Sequence, residues 1–125
     1  MNNSLILIFT MLALFGIKHF ICDFWLQFPY MLSEKGIYGA EGGRHHALMH
    51  TAGTFIVLAL CIPSIEWAVL FAFLDGLVHY HIDWAKTNLA RNYKPTDNQF
   101  WFWLGLDQTL HYLTYIAIIA TLFLI

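Results

Sequence analysis

The chain has 125 residues, of which 59% are hydrophobic and only 11% are charged, and its formal net charge is −2. Soluble domains average roughly a quarter charged residues, so this composition excludes an ordinary soluble domain. We expect no nucleic-acid partner, and the composition is typical of a small polytopic membrane protein.

Four apolar segments follow one another along the chain, at about 4–28, 45–62, 65–89 and 100–125. Each is near the ~20 residues that a membrane-spanning helix needs. The first segment lacks a basic start and a cleavage site, so we expect a retained helix and not a signal peptide. The sequence therefore predicts an all-α fold: a single integral-membrane domain over 1–125, folded as a bundle of four transmembrane helices.

Each of the four segments carries a histidine or aspartate that is followed four residues later by another. The pairs are His19/Asp23, His46/His50, His79/Asp83 and Asp107/His111. Residues four apart lie on the same face of a helix. An ionisable side chain inside a membrane span costs several kcal/mol unless a partner compensates it. The four pairs therefore predict one buried polar site on which all four helices converge.

The pairs also indicate an internal repeat. The first pair aligns with the third at an offset of 60 residues, and the second aligns with the fourth at an offset of 61. Each half of the chain would then be a helical hairpin, and two spans in each half mean that both halves enter the membrane in the same sense. We therefore predict a bundle built from two similar hairpins.

The chemistry of the pairs favours a metal site. Mixed nitrogen and oxygen ligands suit zinc best, with manganese or iron as alternatives. Eight ligands are about right for two divalent ions, and three aspartates against two such ions leave a charge of only +1 to bury. The predicted metal ligands are His19, Asp23, His46, His50, His79, Asp83, Asp107 and His111.

Further polar residues near these faces are candidates for catalytic and supporting roles. The three aspartates and Lys86 are the candidate catalytic residues, since Lys86 lies near the face of His79 and is suited to bind an anionic substrate. Asp75 lies one turn before His79, as its hydrogen-bond acceptor or as a ligand. The predicted second shell is Asp75, Gln27, Lys18 and Gln108, whereas His45 and His81 point away from the paired faces.

Basic residues predict the orientation. Lys35 and Arg44 lie in or beside the first loop, and Lys86, Arg91 and Lys94 lie at or beyond the end of the third segment. The second loop has none, so loops one and three are predicted to face the cytoplasm and both termini the outside. The glycine-rich stretch Gly36–Gly43 is predicted to be a flexible loop that could serve as a lid.

The spacing resembles that of bacterial and phage membrane proteins grouped as domain-of-unknown-function family 3307. The resemblance rests on Lys18–Gln27, His46–His50, His79–Lys86 and Asp107–His111, and it covers nearly the whole chain. The chain is also similar, more remotely, to membrane-bound metal-dependent hydrolases. These resemblances imply a four-helix intramembrane fold, a place in the bacterial inner membrane and hydrolase activity.

The sequence therefore predicts an intramembrane hydrolase with two metal ions that acts on an ester or phosphoester at the cytoplasmic leaflet. The expected partner is a membrane lipid or small amphiphilic substrate, and the small packing area of four helices is compatible with a homo-oligomer. Two alternatives stay open: a transporter of metal ions or protons, because such residues also make ion relays, and a di-iron oxidase-like enzyme.

Overall fold

The structure, a computed structural model, describes residues 3–124, and this range contains helices and no strand. The helices are α1 (Asn3–Phe20), which continues into a π-helical segment (Ile21–Trp25), α2 (Pro29–Glu34), α3 (Glu41–Cys61), α4 (Ile65–Ala90) and α5 (Asn98–Leu122). The four long helices contact one another in a ring, α1 with α3, α3 with α4, α4 with α5 and α5 with α1. The predicted all-α fold is confirmed.

The first predicted helix, 4–28, ends earlier and less regularly than expected. Its last part is the π-helical segment, where the Leu26 N–H donates to the Ile21 carbonyl, five residues back, at 2.8 Å. The chain then turns at Phe28, which is extended with a ψ of 155° because the ring of Pro29 disfavours the helical conformation in the residue before it. Pro29 begins α2, a short helix that the sequence analysis did not predict.

The glycine-rich stretch is not a free loop. Helix α3 begins at Glu41, four residues before the predicted start, and Gly42 and Gly43 are buried in its first turn. The Gly39 N–H donates to the Tyr80 hydroxyl at 2.6 Å, and the Asn88 amide donates to the Gly36 carbonyl at 3.0 Å. The stretch is therefore attached to α4, and the flexible lid expected over Gly36–Gly43 is wrong.

Helices α4 and α5 lie close to their predicted bounds. Helix α4 covers 65–90 against a predicted 65–89, and α5 covers 98–122 against a predicted 100–125, whose last residue lies outside the described range. A three-residue connection joins α3 to α4. This short connection holds α3 and α4 side by side, so that residues of the two helices can face one another.

The interior of the bundle changes from apolar at one end to polar at the other. The apolar cluster comprises Met11, Phe15, Val57, Leu58, Ala68, Phe71, Tyr115, Ile118 and Ile119. The buried polar residues beyond it are Lys18, His19, Asp23, His46, His50, Thr54, Asp75, His79, Asp83, Asp107 and His111. Charged and imidazole side chains rarely occupy a protein interior without partners, so this polar half marks a site.

Two parts of the chain are long and apolar enough to cross a membrane: Asn3–Trp25, with a mean hydropathy of 2.2, and Ile65–Ala90, with a mean hydropathy of 1.2. The predicted four spans are supported to that extent. Helices α3 and α5 fall outside this pair, and both carry polar residues of the site, His46 and His50 on α3 and Asp107 and His111 on α5.

Candidate metal centre

The four predicted pairs meet at the polar end of the bundle. The Nε2 atoms of His46 and His50 each lie 3.0 Å from Asp23 Oδ1, which joins α3 to the π-helical segment. The Nε2 atom of His111 lies 3.2 Å from Asp83 Oδ1, which joins α5 to α4. All four long helices therefore contribute to one cluster.

Six of the eight residues form two overlapping groups whose ligand atoms lie within 4.8 Å of one another and could hold a metal ion. The first group comprises Asp23, His46, His50 and His79, and the second comprises His79, Asp83 and His111. All six side chains are buried. Because both groups contain His79, ions bound to the two groups would be close neighbours.

The donor spacing fits a metal ion. A tetrahedral ion with bonds of about 2.0–2.1 Å separates its ligand atoms by about 3.3–3.4 Å. In the first group the Nε2 atoms of His46 and His79 are 3.2 Å apart, and these atoms lie 3.0 and 3.9 Å from Asp23 Oδ1. Two facing Nε2 atoms can share only one proton, whereas an ion can accept a lone pair from each.

The orientation of these rings is fixed by stacking. The ring of His79 lies between those of His50 and His111, with centroids 3.5 and 4.0 Å away. The buried Nδ1 atoms of His46, His50 and His79 have no hydrogen-bond partner among the described residues. Metal-binding histidines usually donate their second ring N–H to an acceptor. These three histidines differ, because no acceptor among the described residues holds their Nδ1 atoms.

His19 lies in the cluster but outside both groups, because protein atoms occupy both of its ring nitrogens. Its Nε2 donates to Gln108 Oε1 at 2.9 Å and lies 3.0 Å from Asp23 Oδ2, so Nδ1 accepts from the Tyr115 hydroxyl at 2.8 Å. His19 thus orients Asp23. Asp107 also lies outside both groups. Its Oδ1 is 3.4 Å from His111 Nε2 and has no hydrogen-bond partner among residues 3–124.

Asp75 has a different partner from the one expected. It does not bond to His79. Its Oδ2 accepts hydrogen bonds from Lys18 Nζ at 3.0 Å and from the Thr54 hydroxyl at 2.6 Å. Lys18 also donates to the Tyr115 hydroxyl at 3.2 Å. The pair of Lys18 and Asp75 is a buried, charge-balanced layer between the histidine cluster and the apolar cluster.

Lys35 is a cation at the site that the sequence analysis did not include. It follows the last residue of α2, and its Nζ lies 2.6 Å from Asp83 Oδ2. Only Lys18 and Lys86 were expected near the carboxylates. Lys35 lies beyond the predicted first span, in a region where long-range contacts decide the structure, so helical spacing could not identify it.

A cavity of about 260 Å³ opens above the cluster, where the first and third loops lie. Its polar lining comprises Asp23, Gln27, Lys35, Asp83, Lys86, Thr87, Asp107 and Gln108. Gln27 was predicted to support the site from the helical face of Asp23. Its side-chain amide instead donates to the Asp23 backbone carbonyl at 2.7 Å. Lys86 lines the cavity and makes no ion pair among residues 3–124.

Tyr115 and Thr54 are further residues that the sequence analysis missed. Each lies four residues after a predicted site histidine, Tyr115 after His111 and Thr54 after His50. Extending each face by one more turn would have found both. His45 and His81 lie outside the cluster, as expected, and bond to Tyr30 and Tyr38 at the surface.

Comparisons with known proteins identify a family and no characterised relative. The family described as "Protein of unknown function (DUF3307)" matches residues 9–125. No curated protein and no solved structure matches the chain. The resemblance to that family is thus confirmed, while the more remote resemblance to membrane-bound metal-dependent hydrolases stays a prediction.

Proposed function

The chain belongs to the DUF3307 family, whose function is unknown, and we propose from its site that it is a membrane-embedded, metal-dependent hydrolase of phosphoesters. The observation that carries the proposal is the pair of overlapping ligand groups beneath an open polar cavity. Divalent ions held there would activate water and polarise a phosphoryl oxygen.

In this proposal two ions bind, one in each ligand group. Asp23, His46, His50 and His79 hold the first, and Asp83 and His111 hold the second with Asp107 beside them. Zinc suits this donor set best, with manganese or iron as alternatives. His19 and Gln108 orient the carboxylates of Asp23 and Asp107.

Charge favours a phosphoester over a neutral ester. The three aspartates and Lys35 together carry −2, and two divalent ions would bring this to +2. Lys86 adds a further positive charge to the cavity wall. Buried positive charge is costly without a partner, and a phosphate group on the substrate would supply one. Lys35 and Lys86 would hold its oxygens above the ligands.

The distribution of polar residues supports a bundle that crosses the membrane four times. The outer faces of α3 and α5 are apolar although their inner faces are polar: Ile56 and Leu60 on α3 are 57% and 74% exposed, and Phe102 and Leu113 on α5 are 62% and 53% exposed. Exposed apolar surface of this extent favours a lipid environment. The cavity would then face the cytoplasmic leaflet, where the basic loops are predicted to lie.

Transport is less well supported, because the bundle is closed at its other end. The Lys18–Asp75 pair and the apolar cluster around Phe15 and Tyr115, whose rings stack 4.8 Å apart, fill the interior beyond His19. An ion that entered from the cavity would meet this packed layer. A transporter needs access from both sides, whereas a hydrolase needs only one.

The test measures bound metal and hydrolysis in the same preparation. Purified protein should contain about two divalent ions per chain by elemental analysis, and should hydrolyse bis-p-nitrophenyl phosphate. Asp23→Asn should weaken metal binding by more than the 10–100-fold that a change outside the ligand shell costs, because it alters a ligand. Glu66→Gln, at a fully exposed carboxylate on the far side of the bundle, is the control.

Two results would refute the proposal: a purified protein without metal, or metal content and hydrolysis that Asp23→Asn and Asp83→Asn both leave unchanged. Iron with an oxygen-dependent colour change and no hydrolysis would favour the oxidase-like alternative. Metal flux into proteoliposomes would favour transport.

A further inference from the structure

The groove between α4 and α5 continues into the cavity above the metal ligands. It has a volume of about 540 Å³ and is lined mainly by apolar side chains, among them Leu77, Ala85, Trp103 and Leu110, with His81 as one polar lining residue. Lys86 and Asp107 line both the groove and the cavity. The groove therefore has an apolar length and a charged end.

Other grooves on the surface of the bundle have no such connection. One of about 430 Å³ lies between α1 and α3, and another of about 420 Å³ lies between α3 and α4. Both are mainly apolar, although Lys18 lines the first and Arg44 the second, and neither shares a lining residue with the polar cavity. Continuity with the site thus distinguishes the α4–α5 groove from surface that merely contacts lipid.

The dimensions of the groove match an acyl chain. Along α4 it extends from Leu77 to Leu89, which corresponds to about 18 Å of helix. One leaflet of a bilayer provides about 15 Å of hydrocarbon, half of the ~30 Å core. Leu89 and Trp103 lie at the cavity end, and Leu77 and Leu110 lie at the deep end. A chain in this groove would run in the direction of the neighbouring lipid tails.

The charged end suits a phosphate group. Lys86 lies where the groove meets the cavity, and it has no ion-pair partner within residues 3–124. Lys35 lines the same cavity, where its Nζ pairs with Asp83. With two divalent ions balancing the three aspartates of the cavity, the two ammonium groups would attract an anionic headgroup and disfavour one without net charge.

We propose that the substrate is an anionic, phosphate-bearing membrane lipid, whose headgroup enters the cavity at Lys86 while one acyl chain lies in the groove between α4 and α5. This inference rests on the proposed function for the reaction, but lipid binding in the groove can be measured without turnover. The lipid reaches the site sideways from the bilayer, and its phosphate lies above the ligand groups.

The experiment uses the full chain in phosphatidylcholine nanodiscs that contain a small fraction of phosphatidic acid with a photoactivatable diazirine on one acyl chain. After irradiation, the labelled residues are mapped by mass spectrometry. We expect labels concentrated on 77–89 and 103–110. Ala85→Phe, which fills the groove, should reduce this labelling at least about fivefold. Its matched control is Ala52→Phe, which fills the α1–α3 groove and should leave the labelling unchanged.

Two further variants keep the result interpretable. Leu110→Phe narrows the same groove from α5 and should reduce labelling as Ala85→Phe does. Because the two changes lie on different helices, a shared loss of labelling indicates a blocked groove and not the misfolding of one helix. Lys86→Met should lower labelling by phosphatidic acid to the level given by a diazirine-bearing phosphatidylcholine. Equal labelling of all three grooves, or labelling that both groove-filling variants leave unchanged, overturns the inference.

Hydrolysis of bis-p-nitrophenyl phosphate separates this inference from the proposed function. This ester is water-soluble and has no acyl chain, so its hydrolysis by the unaltered protein tests the reaction and not the groove. Hydrolysis together with uniform lipid labelling refutes the lipid inference alone. Labelling that is specific to the groove, without hydrolysis of any phosphoester, supports the lipid site and refutes the proposed reaction.

Discussion

At the scale of single residues, histidines of the site differ in role: some can bind a metal, whereas His19 orients the ligand Asp23. His19 lies among the histidines, yet Gln108, Asp23 and Tyr115 occupy both of its ring nitrogens. His50 instead directs its Nε2 at Asp23 Oδ1, within a group of four ligands. The two histidines have the same helical spacing to a partner but different surroundings.

This difference predicts graded effects on metal affinity. His19→Ala should weaken binding about 10–100-fold, because it removes a group that orients a ligand, and His19→Gln should recover part of the loss by bonding to Asp23. His50→Ala should weaken binding more, since a ligand is lost. Competition with a coloured chelator measures both. Equal losses for His19→Ala and His50→Ala would mean that His19 is a ligand too.

The buried pair of Lys18 and Asp75 gives a second prediction at this scale. The Lys18 side chain is 4% exposed and that of Asp75 is 2% exposed, so neither charge is hydrated. Lys18→Met should lower the free energy of unfolding by about 3–5 kcal/mol, because Asp75 loses its ion-pair partner in a buried position and only the Thr54 hydroxyl still donates to it. Unfolding of the detergent-solubilised protein, followed by circular dichroism, measures the loss.

A double variant provides the control for this pair. Lys18→Met with Asp75→Leu removes both charges, so it should recover most of the stability that the single change loses. If the double variant is as unstable as Lys18→Met, the single change acts through lost packing. The interpretation by an unpaired buried charge would then be wrong.

At the scale of helices, regular spacing was predictable and local irregularity was not. A repeat of four residues identified faces on all four long helices, and α4 lies within one residue of its predicted end. The same rule could not reveal the π-helical turn around Asp23, because such a turn depends on the packing of its side chains and not on their period. It also missed α2, which is too short for a periodic pattern.

The missing helix had consequences for the site. Lys35 follows α2, and its ion pair with Asp83 joins positions that are 48 residues apart. Contacts over such distances arise only when the chain is folded, so no local pattern encodes them. The convergence of the four pairs was predictable because each pair already had to face a polar interior. Which of them contact one another was not.

Close packing of α2 on α3 predicts the effect of one methyl group. A Cβ atom at Gly42 would lie 2.7 Å from the Tyr30 carbonyl oxygen and 2.9 Å from Met31 Cα, both backbone atoms of α2. Gly42→Ala should therefore cost about 1–3 kcal/mol and should displace Lys35, with a loss of hydrolysis. Thermal unfolding and activity measure the two effects.

Gly105→Ala is the matched control for this change. Gly105 also lies in a long helix, but a Cβ atom there would meet no atom within 4 Å. Alanine should stabilise the helix by about 0.5–1 kcal/mol and leave hydrolysis intact. If the two variants behave alike, the contact of α2 with α3 does not position Lys35.

At the scale of the whole molecule, the polar residues that build the site lower the mean hydropathy of α3 and α5. Within residues 3–124, only Asn3–Trp25 and Ile65–Ala90 are long and apolar enough to cross a membrane. Helices α3 and α5 direct their polar residues inward and their large apolar residues outward. Average hydropathy adds the two faces together, whereas a lipid bilayer would contact only the outer one.

The arrangement of spans gives the last prediction, tested by labelling single introduced cysteines with a membrane-impermeant maleimide in a background that carries Cys22→Ser and Cys61→Ser. If all four helices span the membrane, Ile37→Cys and Asn92→Cys should react only in inverted vesicles, because the basic loops face the cytoplasm. Pro63→Cys and Leu124→Cys should react in intact cells. All four positions are exposed on the folded chain, so burial does not limit the reaction. Labelling of Ile37→Cys and Pro63→Cys from the same side would show that α3 does not cross, and it would leave the site outside the membrane interior that the lipid substrate requires.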